Sequence, residues 1–425
     1  MKEERRMKEQ IEKIIRQAEL QLAPRFSEID RNEEKRTRQI LDLFRENQIS
    51  YRHFSPTTGY GYDDIGRDTL ERIFAGVFHT EAALMRPHIA SGTAALSLTL
   101  FGLTRPGERI LSATGLPYDT LLNVIGIGKK TQPGSLKEMG VDFGYCDLKD
   151  GKIDLEAVEK SITPNTSLIT AQRSRGYSWR PSLMPEAFEP LAELLHKKYP
   201  HILLMVDNCY GEFVCEKEPT DFGADVCVGS LIKNPGGGIA PTGGYIAGPA
   251  EAIERIAYRL TAPGLGRELG SYAGDYRPYY QGLFMAPHTV AQAHKTALLA
   301  AKLFESLGME ASPGSEEPRA DIIQAIKMMS GERLVAFCQG IQHASPVDSM
   351  ALPEPWEMPG YDDPVVMAAG TFVSGASIEL SADGPMRSPY TVFMQGSLTY
   401  THGRIAMAEA LNQMIQNGSL ALIES

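Results

Sequence analysis

The chain has 425 residues, more than the roughly 100–200 of a single domain, so two domains are expected. Apolar residues make up 43% and charged residues 22%, enough for a large core; a net charge of −11 with scattered basic residues argues against a nucleic-acid or anionic-membrane surface. The five cysteines show no CxxC spacing, the charged start MKEERRMKEQIEKIIRQ has no signal-peptide apolar region, and no uncharged apolar run approaches the ~20 residues of a membrane span, so a cytoplasmic protein is expected.

Residues 1–60 are expected to form an N-terminal helical arm. Ile11, Ile14, Ile15, Ala18 and Leu22 follow helical spacing, as do Ile40, Leu43 and Phe44. So narrow a stripe on so charged a segment suits an arm lying over another surface, either a partner subunit or its own domain.

Residues 61–287 alternate short β-rich runs with helical stretches. The runs are ALMRPHI (83–89), RILSA (109–113), VDFGYCDL (141–148), TSLITAQR (166–173), ILLMVDN (202–208) and DVCVGSLI (225–232), with GGYIAG as a following strand. Several are apolar on both parities, as strands covered on both faces must be. The expected class is α/β, with a large mostly parallel sheet and helices on both faces. Residues 288–425 read as a smaller α+β C-terminal domain, opening with the helical stretch HTVAQAHKTALLAAKLFESLG.

In such sheets ligands lie beyond the carboxyl ends of the strands. After the first run, HIASGTAAL offers Ser91 as a helix N-cap, Gly92 for close backbone approach and Thr93 as a further hydroxyl, a suitable anion site. An ordinary capped helix reads the same way. The fifth run ends in VDNCYGEF, and Asp207 needs a cationic or hydrogen-bonding partner there unless it merely caps a helix. The sixth ends in GSLIKNPGGG. Lys233, 26 residues after Asp207, is placed as a Schiff-base lysine whose proton affinity burial would lower, or as a surface lysine at a strand end. Neither a P-loop nor a GxGxxG follows a strand. Anion site, carboxylate and lysine in this order are what pyridoxal 5′-phosphate requires.

The segments YGYDDIGRDTLERIFA, HIASGTAAL, GLPYDTL, QRSRGYSW, VDNCYGEF, GSLIKNPGGGIAPTGGY and SGASIELSADGPMRSPY, spread over residues 60–391, resemble the cystathionine lyase and methionine γ-lyase branch of fold-type-I pyridoxal-phosphate enzymes. More closely, they resemble the bacterial "aluminium resistance protein" group. The resemblance implies that Lys233 bonds the cofactor, that Asp207 meets its ring nitrogen, and that Ser91, Gly92, Thr93 and Ser230 bind its phosphate. It implies that Tyr118 stacks on the ring and serves as acid or base. Tyr62 and Arg67 match, at wider spacing, residues offered to a neighbouring subunit's phosphate, which implies a homodimer or homotetramer with shared sites. Arg387 is the candidate for a substrate α-carboxylate, and Arg175, which with Arg173 crowds the end of the fourth strand, is a second substrate-binding candidate. The family's threonine before the lysine is Ile232 here.

The expected function is a lyase that cleaves a C–S bond of a sulfur-containing amino acid by β- or γ-elimination. Aminotransfer, γ-replacement and aldol cleavage are the enzymatic alternatives, and a catalytically silent cofactor carrier is another. A metal-sequestering protein would need clustered oxygen ligands, and only short pairs such as Asp63-Asp64 and Asp362-Asp363 are offered.

Overall fold

A computed structural model describes residues 2–128, 132–358 and 363–421. The chain folds into two compact units. The large unit holds residues 36–176 and 182–285; the small unit holds residues 1–35, 177–181 and 286–425. The division at residues 60 and 287 expected from sequence therefore differs at the N-terminus. Helix α1 (Lys2–Glu46) is continuous, and its residues up to 35 belong to the small unit instead of forming a separate arm. The reason lies in the stripe. Ile11, Ile15, Ala18, Leu22 and Ile29 are all buried in one cluster with Leu298, Leu303, Phe304 and Leu411 of the small unit.

The large unit is built on seven strands: β1 (Ala82–Arg86), β2 (Arg109–Ser112), β3 (Asp142–Tyr145), β4 (Thr166–Gln172), β5 (Leu203–Asp207), β6 (Val226–Ser230) and β7 (Gly244–Gly248). Their order is β1-β7-β6-β5-β4-β2-β3, and only β7 runs against the others. Strands β1, β6 and β7 are buried at every residue, as their mostly small and apolar character suits, with Arg86 and Ser230 the polar residues that close β1 and β6. Six helices accompany the sheet: α2 (Ile65–Val77), α3 (Gly92–Leu103), α4 (Asp119–Ile125), α5 (Leu155–Ser161), α6 (Glu189–Lys198) and α7 (Ala250–Leu260). Each expected run contains an observed strand.

The small unit contains an antiparallel sheet of β8 (Ala311–Ser312), β9 (Ile323–Lys327), β10 (Val365–Ala368), β11 (Ser381–Pro385) and β12 (Thr391–Gln395), in the order β10-β11-β12-β9-β8. Helix α8 (Arg277–Ser306) enters it from residue 286 on, and α9 (Gly331–Ala344) packs on α10 (Tyr400–Gln416). Among the described residues no helix is long and apolar enough to cross a membrane.

Candidate active site

The site lies at the carboxyl ends of β5 and β6. Asp207, the last residue of β5, is in register with Val228 of β6; Ser230 closes that strand and Lys233 follows three residues later. After Lys233 the chain must turn tightly to return as β7. Asn234–Gly236 form a single 3₁₀ turn, and Gly237 takes a left-handed φ of 57°. A Cβ at Gly236 would collide with the Leu231 carbonyl. The glycines after the lysine thus serve the turn that aims it.

Helix α3 begins against this corner. Ser91 caps it by accepting the Ala94 N–H at 3.1 Å. A Cβ at Gly92 would lie 3.2 Å from Ser230 Cβ and 3.6 Å from Cys209 Sγ, so the helix start is seated directly on the ends of β5 and β6. The Thr93 and Tyr118 hydroxyls share a hydrogen bond of 2.9 Å, which brings the start of α4 to the same place.

Lys233 Nζ stands 4.0 Å above the centre of the Tyr210 ring. Desolvation pulls its proton affinity down, but Cys209, Tyr210, Asp207 and Tyr118 outweigh that, and the ammonium sits well above the usual lysine range. The strand-end pocket that desolvates the amine also places Asp207 within electrostatic reach of it, so desolvation does not act alone on Lys233. Burial pushes the Asp207 carboxyl up, against the opposing pull of Lys233 and of the Cys209 N–H, which donates to Asp207 Oδ1 at 3.1 Å. Desolvation, then the Asp207 charge, raises the Tyr118 phenol far above its ordinary value, so it is a neutral hydrogen-bonding group.

These residues fit pyridoxal 5′-phosphate. The Ser230 hydroxyl is buried with no hydrogen-bond partner among the described residues, an orphan of the kind a phosphate oxygen would satisfy. It lies beside a helix start whose N–H groups favour anions. Ser91, Gly92, Thr93, Tyr118, Asp207, Ser230 and Lys233 are therefore brought together.

Tyr62 is exposed and rests on Tyr60, ring centres 5.7 Å apart. Arg67 is buried and braces its own loop, donating to the Gly61 carbonyl at 2.8 Å and to Asp68 at 2.7 Å. Arg175 is buried in the large unit, and Arg173 turns into a network with Asn208 and Glu218. Arg387 belongs to the small unit, where it is half-exposed and paired with Asp363 at 3.1 Å. Tyr210 and Cys209 escaped the sequence reading of roles. Both stand in the quoted VDNCYGEF, but Tyr210 has a left-handed φ of 73°, and no periodicity foretells where such a side chain points.

Comparison with known proteins agrees with this geometry. The methionine gamma-lyase family profile matches residues 11–415, and the chain belongs to that family. The uncharacterized protein YnbB of Bacillus subtilis is 47% identical over 409 residues, 96% of this chain and 97% of its own. A solved structure from Listeria monocytogenes, provisionally named a cystathionine β-lyase involved in aluminium resistance, has a TM-score of 0.93 at 48% identity, covering 95% of this chain and 99% of that one. A carbon-sulfur lyase involved in aluminium resistance from Clostridium novyi has a TM-score of 0.92 at 46% identity, covering 96% and 97%. The pyridoxal-5′-phosphate-dependent protein YhfS of Escherichia coli shares the fold, with a TM-score of 0.62 at 17% identity over 92% and 97%. The architecture is that of the fold-type-I enzymes.

Proposed function

We propose that this protein is a pyridoxal-phosphate-dependent carbon–sulfur lyase acting on a sulfur-containing amino acid, with a thiol, a 2-oxo acid and ammonia as products. The observation that carries the reading is the convergence of Lys233, Asp207, the orphan Ser230 hydroxyl and the start of α3 on one corner of the sheet. The methionine gamma-lyase match and the carbon-sulfur lyase neighbour support the reaction class.

In this reading Ser91, Gly92, Thr93 and Ser230 hold the phosphate, Asp207 the ring nitrogen, Tyr118 the ring face and Lys233 the aldehyde carbon. When bound, the cofactor supplies an electron sink for the charge left at the substrate α-carbon. Once displaced by the substrate amine, Lys233 would act in its neutral amine form as the general base for the α-proton. Tyr118, kept neutral by burial, is suited to give a proton to the departing sulfur. Arg387, the candidate for the substrate carboxylate, already pairs with Asp363, so the two carboxylates would compete for its guanidinium.

The active unit is a homodimer or homotetramer in the cytoplasm, with the exposed Tyr62 offered to a neighbouring copy. Sedimentation of fully active protein as a monomer would defeat that part. Among the described residues no three His, Cys, Asp or Glu side chains form a group that could hold a metal ion, and Asp362 lies outside the described residues. The deciding experiment is the visible spectrum of purified protein before and after borohydride, beside Lys233→Ala. A band near the yellow region that borohydride abolishes and the variant lacks is expected, followed by 2-oxo acid release from sulfur amino acids. Colourless protein that takes up no cofactor sinks the reading.

A further inference from the structure

Each of the two central side chains is followed by a buried asparagine, and one hydrogen-bonded cluster holds both. Asn208, next to Asp207, accepts from Arg173 Nη1 at 2.7 Å and donates to Glu218 Oε2 at 3.0 Å and to Tyr245 Oη at 3.5 Å. Asn234, next to Lys233, donates to the Glu212 carbonyl at 2.9 Å. Tyr245 of β7 donates its hydroxyl to Glu212 Oε1 at 2.9 Å. Glu212 thus reaches Asn208 through Tyr245 and holds Asn234 with its main chain.

The sequence makes room for this contact. A Cβ at Gly229 of β6 would run into the Glu212 carboxyl and the Tyr245 ring. Glu212 is fully buried, and its Oε2 has no hydrogen-bond partner among the described residues. Glu218, Tyr245, Lys233, Cys209 and Cys227 are the titratable groups within its electrostatic reach. Burial raises its carboxyl to about 8, so at neutral pH it is an uncharged hydrogen-bonding group.

We propose that Glu212 is a positioning residue that fixes Lys233 relative to Asp207, through Asn234 on one side and Tyr245 with Asn208 on the other. The inference rests on the roles given to Lys233 and Asp207 in the proposed function. It also explains why an acidic residue is tolerated in a wholly buried place behind a site that already holds Asp207. An uncharged acid gives the same hydrogen bonds without adding a second negative charge.

The test uses the full-length protein as wild type, Glu212→Gln, Glu212→Ala and Tyr245→Phe, each titrated with pyridoxal 5′-phosphate. Cofactor dissociation constants, the visible band between pH 6 and 9, and melting temperature are recorded. Glu212→Gln keeps an uncharged acceptor, so its affinity stays within about twofold of wild type. Its band lacks the wild-type response near pH 8, where Glu212 titrates. Glu212→Ala strips both side-chain oxygens and weakens affinity by about tenfold or more, the scale expected when a buried polar partner is removed. Should that variant fail to fold, Tyr245→Phe removes a single hydroxyl and is expected to weaken affinity several-fold and shift the band. Loss of cofactor in Glu212→Gln as severe as in Glu212→Ala overturns the proposal, because the carboxylate charge would then be what matters. So does Tyr245→Phe with a lowered melting temperature but wild-type affinity and band, which is a structural role alone. Wild-type protein that takes up no cofactor overturns the proposed function and this inference together, whereas the other two outcomes overturn the inference only.

Discussion

The two units each bury a carboxyl group, and they treat it in opposite ways. In the large unit Glu218 lies between two guanidinium groups, Arg36 at 2.5 Å and Arg173 at 3.4 Å, and also accepts the Phe213 N–H and the Asn208 amide. In the small unit Asp383 of β11 has the Tyr177 hydroxyl beside it, while its Oδ1 is buried without a partner among the described residues. Burial pushes that carboxyl up to about 7. A buried acid is thus either surrounded by cations, as Glu218 is, or left to hold its proton, as Asp383 is, and the choice sets how each unit answers to mutation.

The largest effect should come from Glu218→Ala, which takes the shared carboxylate from two buried arginines; a loss of about 3–5 kcal/mol in urea unfolding is expected. A loss under about 1 kcal/mol would mean that Arg36 and Arg173 find other partners, and the contrast between the units would collapse. Asp383 gives the opposite signature. Its folded pKa lies above that of an unfolded aspartate, so between about pH 4 and 7 the native state holds a proton that the unfolded state has released. Its contribution is therefore full in acid and is lost as pH rises through 7. Relative to Asp383→Asn, the wild type should lose on the order of 2–4 kcal/mol between pH 4 and pH 8. Equal pH profiles for the two proteins would remove Asp383 from the argument.

Tyr177→Phe sharpens the comparison further. Its ring, 5.1 Å from that of Phe393, keeps its packing while Asp383 loses a hydrogen bond. A cost of about 1–2 kcal/mol is expected, with the Asp383 transition moved to higher pH. The smallest effect belongs to Glu9→Ala on the outer face of α1. Its pair with Arg5 spans 3.0 Å but leaves both side chains mostly exposed, and no change in the urea midpoint should be measurable.

Much of the large unit was legible because its strands are short, doubly buried and bounded by turn residues, so their positions followed from composition alone. Lys233 and Asp207 stood out for a related reason: polar residues at the ends of apolar strands need a purpose; Ser91 stood out as a helix cap, and Ser230 only through the family resemblance. Glu212 was not, since an acidic residue in YGEF reads as solvated, and only the packing of Gly229 and Tyr245 over it shows otherwise. The surroundings of Lys233 were only half legible, because desolvation can be guessed from a strand end, whereas the nearby Cys209, Tyr210 and Tyr118 cannot. Pro24 invites a break between two N-terminal helices, yet α1 continues through it, its buried stripe running on to Ile29.

Strand β1 pairs only with β7, Ala82 facing Gly248. During synthesis this apolar strand leaves the ribosome early and waits for some 160 further residues before its ladder can close. The stripe of α1 waits longer, because the α8, α9 and α10 residues that bury it come after residue 286. Both waits leave apolar surface exposed on the nascent chain, which favours aggregation and chaperone capture. A ribosome stalled anywhere before β7 would release a fragment with its first strand unpaired. For this topology, the part made first is among the last to be secured.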